Sequence, residues 1–490
     1  MARKRVYAVA KPTPLEEVAL SIPARIFLKR EDLSPIHAYK WRGAYNCMAQ
    51  LSRAVRDRGV VCASAGNHAQ GVALAATHLD THARIYMPVS TPRMKQHAVR
   101  MHGGAHVDIV LVGDSYTEAA AAAHACAEET GRTFVHAYDD FATMGGQGTL
   151  ADEIVMSGEG PFDVAYLQIG GGGMAAAVAC WLKVYYPGIR IVGVEGVDQA
   201  SMAAAMAAGA PVELKYVDVF CDGTAVKKAG TLTHALCAEL IDEFITVTNE
   251  EVCAAIEVLW NAQRCIPEPA GAMGLAGLMK QADQLTGKKV LAVVCGANVD
   301  FDQLAWISRH AGIGAARRRH YRFTMGETRG QLLHLLNTLM EGINIIDVQY
   351  GKLHENLAYP VIGFEASPPQ LALLDRRLTE ANIPHEEVTS QVDVEFRIIN
   401  YEPARFHLPY FISFEFPERA GALRDFLRVV RDTANICYFN YTASGEQVGR
   451  ALIGFEFVDL AHREAFIELL QTSGQTYHPL DPAIVQRMVE

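Results

Sequence analysis

No two of the ten cysteines, scattered from Cys47 to Cys437, are spaced as Cys-x-x-Cys. That removes the usual dithiol and thiolate-metal signatures. The thiols read as reduced, mostly small buried hydrophobes of a cytoplasmic protein. No apolar run approaches the roughly 20 uncharged residues of a membrane span. Met1 to Tyr7 is basic, but no apolar stretch follows, so it does not read as a secretory signal. Basic charge is also scarce: 44 Lys and Arg stand against 55 Asp and Glu, the formal net charge is −11, and the one dense cationic run is Arg317-Arg318-Arg319. Nucleic acids and anionic membranes attract clustered cations, so both are argued against as partners. What remains is an ordinary globular composition, half hydrophobic and a fifth charged. At 490 residues the chain is too long for one core and predicts two to four domains.

From about residue 20 to 310 short apolar runs alternate with Ala-rich stretches of helical length. The runs are Val60–Ala63, Arg84–Met87, His106–Leu111, Val164–Ile169, Ile189–Val194 and Val290–Val294, and the stretches include Ser115–Thr130 and Gly173–Tyr186. This alternation predicts an α/β fold with open, mostly parallel sheets covered on both faces. We read a two-domain core over 1–315, with a smaller subdomain at about 45–145 inserted in the larger. After residue 315 an internal repeat appears at an offset of 91 residues: Phe323, Glu327, Gly330, Leu332 and Asn344-Ile345 recur as Phe414, Glu418, Gly421, Leu423 and Asn435-Ile436. Two copies are too few for a solenoid and fit two α+β modules of βαββαβ type, at 320–400 and 408–490.

Four segments carry the chemistry. Lys40 lies in Tyr39-Lys40-Trp41-Arg42-Gly43-Ala44, where aromatic neighbours suit a desolvated amine; a surface lysine beside buried aromatics is the bland alternative. Ser64-Ala65-Gly66-Asn67-His68 follows a strand and opens a helix, where free backbone amides attract a carboxylate; an ordinary N-cap by Ser64 or Asn67 reads equally well. Gly170-Gly171-Gly172-Gly173-Met174 lies between a strand and an Ala-rich helix, so its amides and the helix dipole suit a dianionic phosphate. Ala175 stands where GxGxxG would need its third glycine, although Glu195 lies at the strand end a dinucleotide reading would use. Cys295 ends the strand Val290–Val294, and a buried core thiol is its default reading.

Taken in this order, the four segments resemble the fold-type II pyridoxal-phosphate enzymes, and most closely the biosynthetic threonine deaminases (threonine ammonia-lyases). The resemblance covers essentially the whole chain and implies pyridoxal 5'-phosphate as cofactor. In that family Lys40 would hold the aldehyde and, once displaced, remove the α-proton. Ser64, Ala65, Gly66, Asn67 and His68 would grip the substrate carboxylate. Asn67 would also donate to the ring's phenolic oxygen, while His68 serves as a supporting or capping residue rather than a base. Gly170, Gly171, Gly172, Gly173 and Met174 would hold the phosphate. Cys295 would face the pyridine nitrogen as a neutral partner. Ile266–Ala272 matches a further family segment, placing Glu268 near the cofactor or at a helix start. Glu195 and Asp222 fall where some relatives bind a cation, but Asp222-Gly223-Thr224 reads as well as a turn, and we expect no metal.

The implied reaction is deamination of L-threonine to 2-oxobutanoate and ammonia, the first step of isoleucine biosynthesis. L-Serine should be a poorer substrate, since one methyl is worth only about 1–3 kcal/mol of discrimination. Ala65 stands where serine racemases carry the second-face base, and no added basic pocket suits a phosphorylated substrate. Dehydration of 3-hydroxyaspartate stays open, as does a regulatory binder that has lost catalysis. Pro417-Glu418-Arg419-Ala420-Gly421-Ala422-Leu423 looks like the first turn of an ACT-like regulatory module. The resemblance implies isoleucine and valine as effectors, held by Pro417, Glu418, Gly421 and Leu423 with facing Asn435 and Ile436. The first copy departs from this turn at Gly326 and Arg329. A homotetramer is implied by resemblance alone.

Overall fold

The structure is a computed structural model that describes the chain apart from residues 340–342, 418, 420, 432, 444–447 and 490. The chain divides into two compact units, Met1–Gly314 and Ala315–Glu490. No helix among the described residues is long and apolar enough to cross a membrane.

The first unit contains β1 (Leu15–Val18), β2 (Arg25–Arg30), β3 (Val60–Ala63), β4 (Ala83–Met87), β5 (Val107–Leu111), β6 (Thr133–Phe134), β7 (Val164–Gln168), β8 (Arg190–Gly196), β9 (Glu243–Val247) and β10 (Lys289–Val294). They form a six-stranded sheet in the order β1-β2-β10-β7-β8-β9 and a four-stranded sheet in the order β5-β4-β3-β6. Every pairing is parallel except the edge pair β1–β2. The alternation of side chains sorts each sheet into two cores. Tyr166, Val192, Val290 and Ala292 pack on one face of the large sheet, while Ala165, Leu167, Ile191 and Leu291 pack on the other. Val60 and Cys62 face one side of the small sheet, Val61 and Ala63 the other. Burial on both faces is why these strands read as continuous apolar runs.

Two features fix the segment that carries Lys40. The helix Trp41–Met48 meets the helix Asn67–Leu79 backbone to backbone, since a Cβ on Gly71 would lie 2.9 Å from the Trp41 Cα. Beneath it lies an ionic cluster of four buried side chains. The Arg42 guanidinium donates to both oxygens of Glu31 at 2.8 and 2.9 Å and to both oxygens of Glu153 at 2.5 and 2.9 Å. Lys29 adds a 2.6 Å bond to Glu153. Two cations balance two carboxylates, so the cluster is neutral; removing one partner would strand a buried charge.

The second unit holds β11 (Arg318–Phe323), β12 (Met325–Gly326), β13 (Asn344–Gly351), β14 (Leu357–Ala358), β15 (Val361–Glu365), β16 (His385–Glu387), β17 (Tyr410–Pro417), β18 (Asn435–Thr442), β19 (Val448–Glu456) and β20 (Thr476–Pro479). Eight of them make one sheet in the order β16-β11-β15-β13-β18-β19-β17-β20, with β12 and β14 as a separate pair. The order is a mirror: the two repeat copies join edge to edge through antiparallel β13 and β18, from Asp347 opposite Thr442 to Gly351 opposite Tyr438. One hydrophobic core runs under both copies, from Tyr321 and Phe364 to Phe414 and Phe455.

Candidate active site

The backbone after β10 is the hub of the site. Ala38 bridges Gly296, the Tyr39 N–H donates to the Cys295 carbonyl at 3.1 Å, and the Ala297 N–H donates to the His37 carbonyl at 2.8 Å. These bonds set Lys40 beside Cys295. From the same hub the Glu268 N–H reaches the Gly296 carbonyl at 3.1 Å, and Asn298 Nδ2 reaches the Ile36 carbonyl at 2.9 Å.

Lys40 lies where two cavities meet. One, of about 730 Å3, runs from Lys40 along Ser64, Ala65, Gly66, Asn67 and His68. The other, of about 30 Å3, is lined by Lys40, Asn67, Gly170 to Gly173, Met174 and Cys295. Every residue of the four segments that the resemblance assigned to the cofactor or substrate thus lines one cavity or both. Burial lowers the Lys40 amine below its ordinary range, against the pull of Cys295, Glu268 and Asp222. A depressed amine is what a lysine base needs at neutral pH.

Asn67 is held from two sides: its Nδ2 donates to Glu268 Oε1 at 2.8 Å, and its Oδ1 accepts from Asn298 Nδ2 at 2.6 Å. The second Glu268 oxygen accepts from the Asn298 N–H at 3.2 Å. Burial first, and then Asp222, push the Glu268 carboxyl up to about 7. The helix Asn67–Leu79 starts at Gly66 without a side-chain cap, so neither Ser64 nor Asn67 serves as the ordinary cap; Ser64 Oγ instead accepts from the Gly66 N–H at 3.2 Å. A Cβ on Gly66 would meet nothing within 4 Å, which leaves open space at this helix start. His68 is buried, with Nε2 on the Val135 carbonyl at 2.9 Å, and burial lowers it to about 3. It stays neutral and takes no part as an acid or base near neutrality.

At the glycine run, Gly172 adopts a left-handed φ of +93° and begins the helix Gly173–Tyr185 with no side-chain cap. A Cβ on Gly171 would lie 2.3 Å from the Tyr138 ring, and one on Gly170 would lie 2.9 Å from the Thr224 Cα. Only glycine fits, so the helix start stays bare and the backbone can come close to an anion. Cys295 donates to the Ala270 carbonyl at 3.6 Å, and burial raises its thiol. It is a neutral group at the floor of the small cavity. An uncapped helix start, a depressed buried amine and a neutral thiol in one cavity fit the phosphate, aldehyde and ring nitrogen of pyridoxal phosphate.

Sequence reasoning missed Tyr138 and Gln168, named Thr224 only as part of a turn, and took Asn298 only as part of the cofactor-holding segment Cys295-Gly296-Ala297-Asn298. Gln168 donates to the Val293 carbonyl at 2.9 Å, while its buried Oε1 has no partner among the described residues. Glu195 lies outside both cavities; its two oxygens accept from the Met202 and Ala203 N–H groups at 2.8 Å each, and burial raises it to about 7. Its carboxyl faces a helix start rather than either cavity. Asp222 pairs with Lys95. Among the described residues no cluster of three metal-ligating side chains forms.

In the second unit a cavity of about 60 Å3 is lined by the first copy's turn, including Glu327 and Gly330, and by Asn435 and Ile436 of the second. Glu327 accepts from Asn435 Nδ2 at 2.9 Å and from the Tyr350 hydroxyl. Gly421, at φ +85°, starts the helix Ala422–Val430, and Leu423 is buried in the core; neither is among the described residues that line this cavity. Glu418 lies outside the described residues.

Fold and site together define a pyridoxal-phosphate dependent enzyme. Residues 7–296 match the family described as pyridoxal-phosphate dependent enzyme, and residues 404–487 match the C-terminal regulatory domain of threonine dehydratase. A biosynthetic L-threonine dehydratase of Burkholderia multivorans is 37% identical over 485 residues, 96% of this chain and 95% of that protein. The processed threonine deaminase isoform 2 of Solanum lycopersicum superposes with a TM-score of 0.61 at 39% identity, covering 63% of this chain and 90% of its own. Maize serine racemase gives 0.58 at 29%, covering 64% and 95%. The chain belongs to the biosynthetic threonine dehydratases.

Proposed function

We propose that the chain deaminates L-threonine to 2-oxobutanoate and ammonia in isoleucine biosynthesis, under control by branched-chain amino acids. The observation that carries this reading is the Lys40 amine at the junction of a substrate-sized cavity and a glycine-lined one. Pyridoxal phosphate, when bound, supplies the aldehyde that holds the amino acid and a ring that accepts the electron pair of the broken C–H bond. Gly170 to Gly173 and Met174 would hold its phosphate on bare helix-start amides. Cys295 would meet its ring nitrogen as a neutral group. The helix start at Gly66 and Asn67, with Ser64, binds the substrate carboxylate. Lys40 Nζ takes the α-proton. The β-hydroxyl leaves as water, and water returns to release ammonia, so the atoms balance.

Two features limit the alternatives. Ala65 has no titratable group, so the face opposite Lys40 receives no proton from it, which disfavours racemisation. His68, neutral and bonded to Val135, cannot replace it.

The effector would occupy the cavity of the second unit. Its volume has room for roughly four or five waters, the scale of a branched aliphatic side chain. Glu327 and Asn435 supply polar groups for an ammonium, and Val348, Leu427 and Ile436 an apolar wall. On this reading isoleucine, opposed by valine, would bind against the first copy's turn rather than at Gly421 and Leu423. The protein would act in the cytoplasm as a homotetramer.

The test is 2-oxo acid release from L-threonine by purified protein, with and without isoleucine. Lys40→Ala should lower release by on the order of a thousandfold or more and abolish the visible absorption of bound cofactor. Glu327→Gln should blunt the isoleucine effect without lowering basal rate. Release from 3-hydroxyaspartate but not threonine would overturn the substrate assignment.

A further inference from the structure

Lys95 and Asp222 form an ion pair across the mouth of the large cavity. Lys95 belongs to the helix Arg93–Gly103, which packs with the four-stranded sheet. Asp222 lies 127 residues further along, in the connection between β8 and β9 of the six-stranded sheet. The pair therefore joins the two walls of the cleft.

The turn that carries Asp222 also touches the two halves of the cofactor site. A Cβ on Gly223 would lie 2.9 Å from the Ala270 Cβ and 3.3 Å from Glu268 Oε1. On its far side Thr224 backs Gly170, whose Cβ would lie 2.9 Å from the Thr224 Cα. Thr224 Oγ1 is itself fixed, 3.0 Å from Gln199 Oε1 and 3.0 Å from the Cys221 carbonyl. A displacement of this turn is felt at the glycine run and at Glu268 together.

We propose that Lys95 and Asp222 are positioning residues of the reaction: their pair ties the cleft shut and, by offsetting the charge of Asp222, weakens its pull on Lys40. The inference rests on the lyase reading above. Asp222 raises both the Lys40 amine and the Glu268 carboxyl. The other groups acting on Lys40 are Glu268 and Cys295, with His68 neutral beside it. Glu213, Lys227 and Lys228 lie further along the wall of the same cavity. When the walls part, Asp222 loses its cation, its bare charge favours protonated Lys40, and the base is silenced. When they close, the amine is freed. The base is thus competent only when the substrate is enclosed.

The variants are Lys95→Met and Asp222→Asn, which break the same pair and leave opposite charges behind. The acid limb of kcat/KM for 2-oxo acid release should move to higher pH in Lys95→Met and to lower pH in Asp222→Asn. Each shift should be on the order of half a pH unit or more. The double variant should return towards the parent, and Lys95→Arg should keep the parent profile. The same split should appear in the pH dependence of pyridoxal phosphate capture by the cofactor-free protein, which reads the free Lys40 amine directly. A pair that serves only as a mechanical tie would move both variants the same way or neither, and that result overturns the proposal. Failure of the unaltered protein to capture the cofactor would overturn the lyase reading and this one with it; normal capture with unsplit limbs would overturn this one alone.

Discussion

Glu268→Gln offers a quantitative test of the electrostatics around Lys40. The Glu268 carboxyl is buried and raised from 4.5 to about 7. A carboxyl raised on folding favours the folded state while protonated. That contribution is fully present below the unfolded value and is lost as pH rises through the folded one, so the window runs from about 4.5 to about 7. At about 1.36 kcal/mol per unit, the full loss is about 3.4 kcal/mol, of which about 2.5 kcal/mol falls between roughly pH 5 and 8.5. Glutamine carries no proton to lose and removes this slope. It also introduces a constant cost: Glu268 accepts from Asn67 on one oxygen and from the Asn298 N–H on the other, and an amide can accept on only one. One buried donor is then unmet, at about 1–3 kcal/mol independent of pH. The variant should therefore be less stable than the parent near pH 5 and gain about 2.5 kcal/mol on it by pH 8.5. All four tryptophans, Trp41, Trp181, Trp260 and Trp306, lie in the first unit, so denaturant unfolding followed by tryptophan fluorescence reports on that unit. A stability difference that stays flat across the pH range would refute the raised carboxyl and the desolvation argument behind it.

Gly171→Ala should cost cofactor affinity. Its new methyl would sit 2.3 to 2.5 Å from the Tyr138 ring carbons, and such overpacking costs about 1–3 kcal/mol. A titration of the cofactor-free protein should show a dissociation constant at least about tenfold weaker; an unchanged constant would mean the ring yields freely. Arg42→Met should strand Glu31 and Glu153 against Lys29 alone, costing about 3–5 kcal/mol of stability. Arg42→Met with Glu153→Met, which restores the balance of one cation and one carboxylate, should recover much of that loss in the same fluorescence unfolding experiment.

The alternation of apolar runs and Ala-rich stretches was enough to predict parallel α/β sheets, because strands buried on both faces must be apolar throughout. β3, β4, β5, β7, β8 and β10 follow those runs to within two residues at either end. β2 escaped because it carries Arg25, Lys29 and Arg30; Arg25 is exposed and pairs with Glu17, and the buried Lys29 and Arg30 are tolerated because Glu16, Asp32 and Glu153 pair with them. β9 escaped because its residues are half-buried at a sheet edge, with little of the apolar continuity of the inner strands. The repeat announced two modules, but not that they would share one sheet through β13 and β18. That joint is a match of two strand edges, and no residue type encodes it.

The same division runs through the site. Lys40, the Ser64–His68 turn, the glycine run and Cys295 were legible because each is a local device: an amine beside aromatics, a helix start, a stretch with no Cβ, a thiol at a strand end. The bonds that make them a site join residues far apart in the chain. Asn67 meets Glu268 across 201 positions and Asn298 across 231; Arg42 meets Glu153 across 111. Lys95 gave no signal and Asp222 only that of a turn or a cation position, since a lysine on a helix and an aspartate before a glycine are ordinary surface residues until a cleft places them face to face. The sequence by itself determined which chemical groups the chain could bring to a cofactor, because motifs are short and their backbone geometry is local. Only the tertiary structure decided their charge states and partners, because burial and Coulomb fields depend on distances through space that chain order does not contain.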